Sequence, residues 1–64
     1  MSMGVIGNYF VKEECGKWKI MKDEGWYVTD ASLNNPWLMW NGIEPFESKI
    51  QAYTWLKKHV NELL

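Results

Sequence analysis

The 64-residue chain contains no arginine, one cysteine, one histidine and two prolines, and it has no long apolar run. A single cysteine excludes an internal disulfide bond, and one cysteine with one histidine falls short of the four ligands of a structural zinc site. Without about 18 consecutive apolar residues, no membrane-spanning helix is expected. Seven lysines against eight carboxylates give a formal charge of -1, which does not favour phosphate binding.

The chain is rich in apolar and aromatic residues, which make up 47% of it and include five tryptophans. Such a composition with a low net charge is typical of a folded domain. A short chain buries a small share of its surface, so bulky side chains or a partner must stabilise it. We predict one domain over residues 1–64, with residues 1–7 loose. The lone cysteine and the lack of a signal-peptide pattern favour the cytoplasm.

Three short segments have the composition of β-strands, at residues 8–14, 17–22 and 26–30. They are rich in strand-forming residues, and the second and third alternate in hydrophobicity. Turns containing Gly16 and Gly25 separate them, which predicts an antiparallel meander. The alternation places Trp18, Ile20, Trp26 and Val28 toward a helix, and Lys17, Lys19, Met21, Tyr27 and Thr29 away from it.

The last quarter of the chain predicts a helix over residues 48–63. Ser48 and Gln51 have the spacing of a capping box, in which each side chain bonds to the backbone of the other residue. The fold class is therefore α+β, a three- to four-stranded antiparallel meander sheet packed against one C-terminal helix. The stripe expected to face the sheet contains Ala52, Tyr53, Leu56, Val60 and Leu63.

The segment Trp37–Trp40 (WLMW) is apolar at every position. It is interpreted either as a short fourth strand covered on both faces or as a segment with one face free for a partner. A second copy of the chain is one such partner, which would make the protein a homodimer.

No catalytic constellation is evident. Cys15 lies in a predicted turn and His59 late in the helix, with no third group to orient them. The paired acids Glu13-Glu14 and Asp23-Glu24 flank turns, and the glycines are too scattered for a phosphate loop. We therefore expect no enzymatic activity, no metal and no cofactor.

Tryptophan and charge placement favour a protein partner. Trp37, Trp40 and Trp55 exceed what one small core needs, and tryptophan is enriched in interface hot spots. Residues 23–48 contain five acids and no lysine. We predict these three tryptophans as contacts for a basic or mixed protein surface, with rim charges at Asp30, Glu44 and Glu47 that speed association.

An alternative site lies on the predicted open sheet face. Lysines beside aromatic residues on a sheet are how some single-strand binders stack bases. The candidates for this nucleic-acid face are Lys17, Lys19 and Tyr27.

The stretch GIEPFESKIQAYTWL (42–56) resembles the last strand-to-helix passage of small β-β-β-α domains. The likeness rests on Gly42, Phe46, Ser48-Lys49, Ala52 and Trp55-Leu56. The AP2-like arm-site DNA-binding domain of tyrosine integrases has this pattern, which implies a sheet packed on a C-terminal helix. In that family the sheet enters the DNA major groove with basic residues, whereas this chain has no arginine.

The chain also resembles in type the small accessory proteins with which bacteriophages inhibit host factors. That resemblance implies a non-catalytic inhibitor that occludes a host protein surface, in the cytoplasm of the host cell if a phage encodes it. A protein-binding module is therefore the leading hypothesis, and a nucleic-acid-binding β-β-β-α module is the alternative.

Overall fold

A computed structural model describes residues 5–64, which form a four-stranded antiparallel sheet packed against a C-terminal helix. The sheet is a meander in which each strand pairs with the next along the chain, so the expected α+β fold is confirmed. The strands are β1 (Val5–Ile6), β2 (Tyr9–Glu14), β3 (Lys17–Asp23) and β4 (Val28–Asp30). The helices are α1 (Trp37–Trp40) and α2 (Lys49–His59), with 3-10 turns at Ala31–Leu33 and Val60–Glu62.

The fourth strand of the sheet is N-terminal. Val5 pairs with Phe10 and Ile6 with Tyr9 across a turn at Gly7, whose φ is +60°. The expectation that residues 1–7 are loose is therefore wrong for β1, while residues 1–4 lie outside the described residues.

The apolar segment at 37–40 is a single helical turn, so its interpretation as a strand is wrong. The Trp40 N–H donates to the Pro36 carbonyl at 3.0 Å. A short apolar run does not distinguish strand from helix by periodicity. The chain leaving α1 is fixed as well, because the N–H groups of Ile43 and Glu44 both donate to the Leu38 carbonyl, at 3.0 and 2.9 Å.

The core lies between the sheet and α2, and the predicted helix stripe is confirmed. Ala52 and Leu56 are fully buried, against Ile20 of β3 and Leu38 of α1. Tyr53, Val60 and Leu63 are half-buried. The remaining buried members of the core are Tyr9, Ala31 and Phe46.

The third predicted strand, residues 26–30, corresponds to β4, which begins only at Val28. Its side chains also face the opposite sides of the sheet from those predicted. Pairing of Asp23 with Val28 leaves four residues in the turn, and Trp26 in that turn is 91% exposed. The pairing of Lys22 with both Tyr9 and Thr29 places Thr29 on the helix-facing side. Val28 therefore faces away and is exposed, since a shift of one residue moves a strand's side chains to the opposite face. The assignment of Trp26 and Val28 to the core is wrong.

Strand β2 pairs with one edge of β3, and β4 pairs with only Met21–Asp23 on the other edge. The rest of that second edge is completed by residues from the loop before α2. The N–H and carbonyl groups of Trp18 bond to the carbonyl and N–H of Phe46, both at 2.9 Å. Between this bridge and β4, the Ile20 N–H donates to the Glu44 Oε2 at 2.8 Å. A side-chain carboxylate thus takes the place of a backbone acceptor at the edge of this strand.

Helix α2 begins with the predicted cap. The Gln51 N–H donates to the Ser48 Oγ at 3.2 Å. The reciprocal bond differs from the prediction, because the Gln51 side chain accepts from the N–H of Glu47 rather than that of Ser48. With 11 residues, α2 spans about 16 Å, and none of the helices in residues 5–64 is long and apolar enough to cross a bilayer.

Candidate functional site

A surface groove separates α2 from the loop that precedes it. It has a volume of about 570 Å³, within the roughly 300–1,000 Å³ typical of ligand sites. One wall is residues 43–47, termed the ridge, and the other is the outward side of α2. The lining residues are Ile43, Pro45, Phe46, Glu47, Ile50, Gln51, Thr54, Trp55, Lys58 and His59.

Trp55 is the aromatic centre of the groove. Its ring lies 6.1 Å from both Phe46 and Trp37, and 4.6 Å from the stacked ring of His59. The His59 Nδ1 is in turn 2.6 Å from a carboxylate oxygen of Glu62. These contacts hold the half-buried indole from several sides, so the groove has a fixed aromatic surface before any ligand arrives.

A smaller cleft of about 220 Å³ lies on the other side of the ridge, lined by Lys19, Met39, Glu44 and Pro45. Pro45 lines both depressions. The apolar surface therefore continues from the groove over the ridge to α1, where Met39 is exposed and Trp40 is 79% exposed.

Glu44 lies inside the fold rather than at a rim. Its side chain is 7% exposed, and the expectation that it acts as a surface rim charge is wrong. Burial raises the pKa of this carboxyl, although the hydrogen bond from Ile20 and the charge of Lys19 oppose the rise. Its position follows from the gap in the edge of β3, which needs an acceptor.

The other two predicted rim acids are paired with lysines of β3. A carboxylate oxygen of Glu47 lies 2.7 Å from the Lys17 Nζ, and one of Asp30 lies 3.5 Å from the Lys19 Nζ. Lys19 also bonds to Glu14 at 3.0 Å, which lowers the pKa of Glu14 and raises that of Lys19. Of the three predicted rim acids, Glu44 is therefore buried, and Asp30 and Glu47 are paired with lysines.

The two lysines of the predicted nucleic-acid face, Lys17 and Lys19, are the ones that form these ion pairs. Lys17 and Lys19 share one sheet face, but Tyr27 lies in the β3–β4 turn and packs edge-on against Trp26 at 5.1 Å. The structure does not bring the three residues together as a continuous stacking surface.

The three tryptophans predicted as contacts divide between two positions. Trp55 lines the groove, and Trp37 packs against its ring from outside the lining. Trp40 follows Trp37 by one helical turn and is exposed. Sequence reasoning missed Ile50 and Pro45; the signal available for Ile50 was a large aliphatic residue on the otherwise polar face of the helix.

Comparison with protein-family models, curated proteins and solved structures gives no match to this chain. The function of the chain must therefore be inferred from the geometry and chemistry of the site. Within residues 5–64, no group of three or more His, Cys, Asp or Glu side chains is placed to hold a metal ion. Cys15 is exposed in the β2–β3 turn, and the His59 ring is occupied by Trp55 and Glu62. The groove and the ridge instead present apolar side chains, such as Pro45 and Ile50, that a ligand with apolar groups could contact.

Proposed function

We propose that the chain is a non-catalytic protein-binding module that acts by occluding a surface of its partner. The observation that carries this proposal is the exposure of large apolar side chains on an anchored part of the fold, above all Trp40 and Met39 on α1. A freely mobile tryptophan would lose entropy on binding, whereas one held in place before binding loses less.

The anchoring of α1 comes from both of its ends. Leu38 is fully buried in the core, and its carbonyl accepts two backbone N–H groups from the ridge. The buried side chain of Asn35, just before the helix, donates to the Ala31 carbonyl at 2.8 Å and accepts from the Leu64 N–H at 3.0 Å. Met39 and Trp40 therefore project from a fixed base.

The proposed contact surface extends from α1 over the ridge into the groove. It joins exposed Trp40 and Met39 to Pro45, Ile50 and Trp55. The charged residues Lys19, Glu47 and Lys58 line its two depressions. An apolar centre with a polar rim is the usual anatomy of an interface. Because the rim acids are paired with lysines, a partner with a mixed surface suits it better than a strongly basic one.

Affinity capture from a lysate of the source cells tests this proposal with a matched pair of variants. Trp40→Ser and Trp26→Ser each remove one highly exposed indole, but only Trp40 belongs to the proposed surface. We expect the wild type and Trp26→Ser to retain a partner. With Trp40→Ser the binding free energy should be weaker by about 2 kcal/mol or more. Equal retention by all three proteins, or no retained partner, would contradict the proposal.

A further inference from the structure

We infer that the groove accepts a short peptide segment of the partner that combines large apolar side chains with carboxylates. This inference rests on the proposed protein-binding function and adds the chemistry of the bound segment. It is drawn from the charge and polarity of the two groove walls.

The helical wall of the groove is cationic. Helix α2 carries three lysines, at positions 49, 57 and 58, and no carboxylate. None of the ion pairs found among residues 5–64 uses any of these lysines. Of the three, Lys58 lines the groove, so its ammonium group is placed to meet a carboxylate of a bound segment.

The ridge wall offers no competing free charge. Its one carboxylate at the groove, Glu47, is held by Lys17 at 2.7 Å. Among the residues that line the groove, the ammonium group of Lys58 is therefore the charge without an ion-pair partner. Charge complementarity with this group selects a segment with acidic residues.

The apolar part of the groove favours a peptide over a nucleic acid. Ile43, Pro45 and Phe46 on the ridge face Ile50 and Trp55 of α2 across the groove. Three of these five side chains contribute only aliphatic surface, whereas unpaired bases stack on aromatic faces. Leucine- or phenylalanine-sized side chains fit such a mixed apolar lining.

Panning a random decapeptide display library on the intact chain tests the inference. We expect the enriched sequences to combine Asp or Glu with Leu, Phe or Trp. Their dissociation constants, measured by isothermal titration calorimetry, should rise at least tenfold with Lys58→Glu.

Lys57→Glu is the matched control, since it makes the same charge change one residue away on a side chain that does not line the groove. We expect it to raise the dissociation constant less than threefold at physiological salt, because salt weakens the effect of an exposed charge outside the groove. Ile50→Asp is a second groove variant at a side chain that is 68% exposed, so the fold tolerates it, and it should weaken binding at least tenfold.

Enrichment of basic or uncharged peptides, no enrichment, or equal effects of Lys58→Glu and Lys57→Glu would overturn the inference. Tighter groove binding of a 12-nucleotide single strand than of any peptide would overturn it as well. If a cellular partner is lost with Trp40→Ser but unaffected by Lys58→Glu and Ile50→Asp, the peptide inference fails and the proposed function stands.

Discussion

Glu44 offers the sharpest test of how this fold is held together. Its carboxylate accepts the N–H of Ile20, a residue with no solvent exposure, at 2.8 Å. Glu44→Leu keeps an apolar side chain at the site but leaves that N–H without an acceptor. A buried donor without a partner costs about 1–3 kcal/mol. A domain of this size has a free energy of unfolding of roughly 3–10 kcal/mol, so the loss is a substantial share of it.

Urea denaturation followed by far-UV circular dichroism measures this loss. Glu44→Gln is the matched control, because its amide oxygen accepts the same N–H. We expect the free energy of unfolding of Glu44→Leu to be lower by about 1–3 kcal/mol, and Glu44→Gln to retain most of the stability at pH 7.

The pH dependence supplies an independent check on Glu44. Because burial raises the pKa of the folded carboxyl above its ordinary value of 4.5, the folded chain binds this proton more tightly than the unfolded chain does. At pH values above the folded pKa of Glu44, the buried ionised carboxylate lowers the free energy of unfolding of the wild type. This loss of stability disappears as the pH falls to 4.5 and below. The stability of Glu44→Gln relative to the wild type should shrink on acidification. A relative stability that grows on acidification, or Glu44→Leu as stable as Glu44→Gln at pH 7, would refute this reasoning.

Substitutions at three further positions test the packing and the capping of α2, each by urea denaturation. Leu56→Ala removes a fully buried side chain and should cost about 2–5 kcal/mol; a loss below 1 kcal/mol would mean that α2 does not pack as described. Ser48→Ala removes the oxygen that caps α2 and should cost about 1 kcal/mol, whereas Ser48→Asp should retain most of the stability. Trp26→Ser should change the stability by less than about 0.5 kcal/mol, since the indole is exposed; a larger loss would show that it packs on the fold.

The meander and the helix could be predicted because each rests on local signals. Turns at Gly16 and Gly25 separate segments of strand composition, and both glycines have positive φ in the structure. Ser48 followed three residues later by Gln51 marked the helix start. These features depend on neighbours in the chain, which a single sequence displays.

The features that sequence reasoning missed depend on distant residues. The exposure of Trp26 follows from the register of β4 against β3, which alternation within one strand does not fix. The burial of Glu44 follows from a gap beside Ile20, 24 residues earlier in the chain. The groove arises where the ridge meets α2, and only Trp55 among its lining aliphatic and aromatic residues was predicted as a contact.

The completed edge of β3 also bears on how copies of this chain behave at high concentration. A strand edge with free N–H and carbonyl groups is a template on which another chain can add a strand, the step by which sheets grow into fibrils. Here the N–H groups of Trp18 and Ile20 already have acceptors within the same molecule. The segment that forms the ridge thus blocks intermolecular sheet growth along this part of β3.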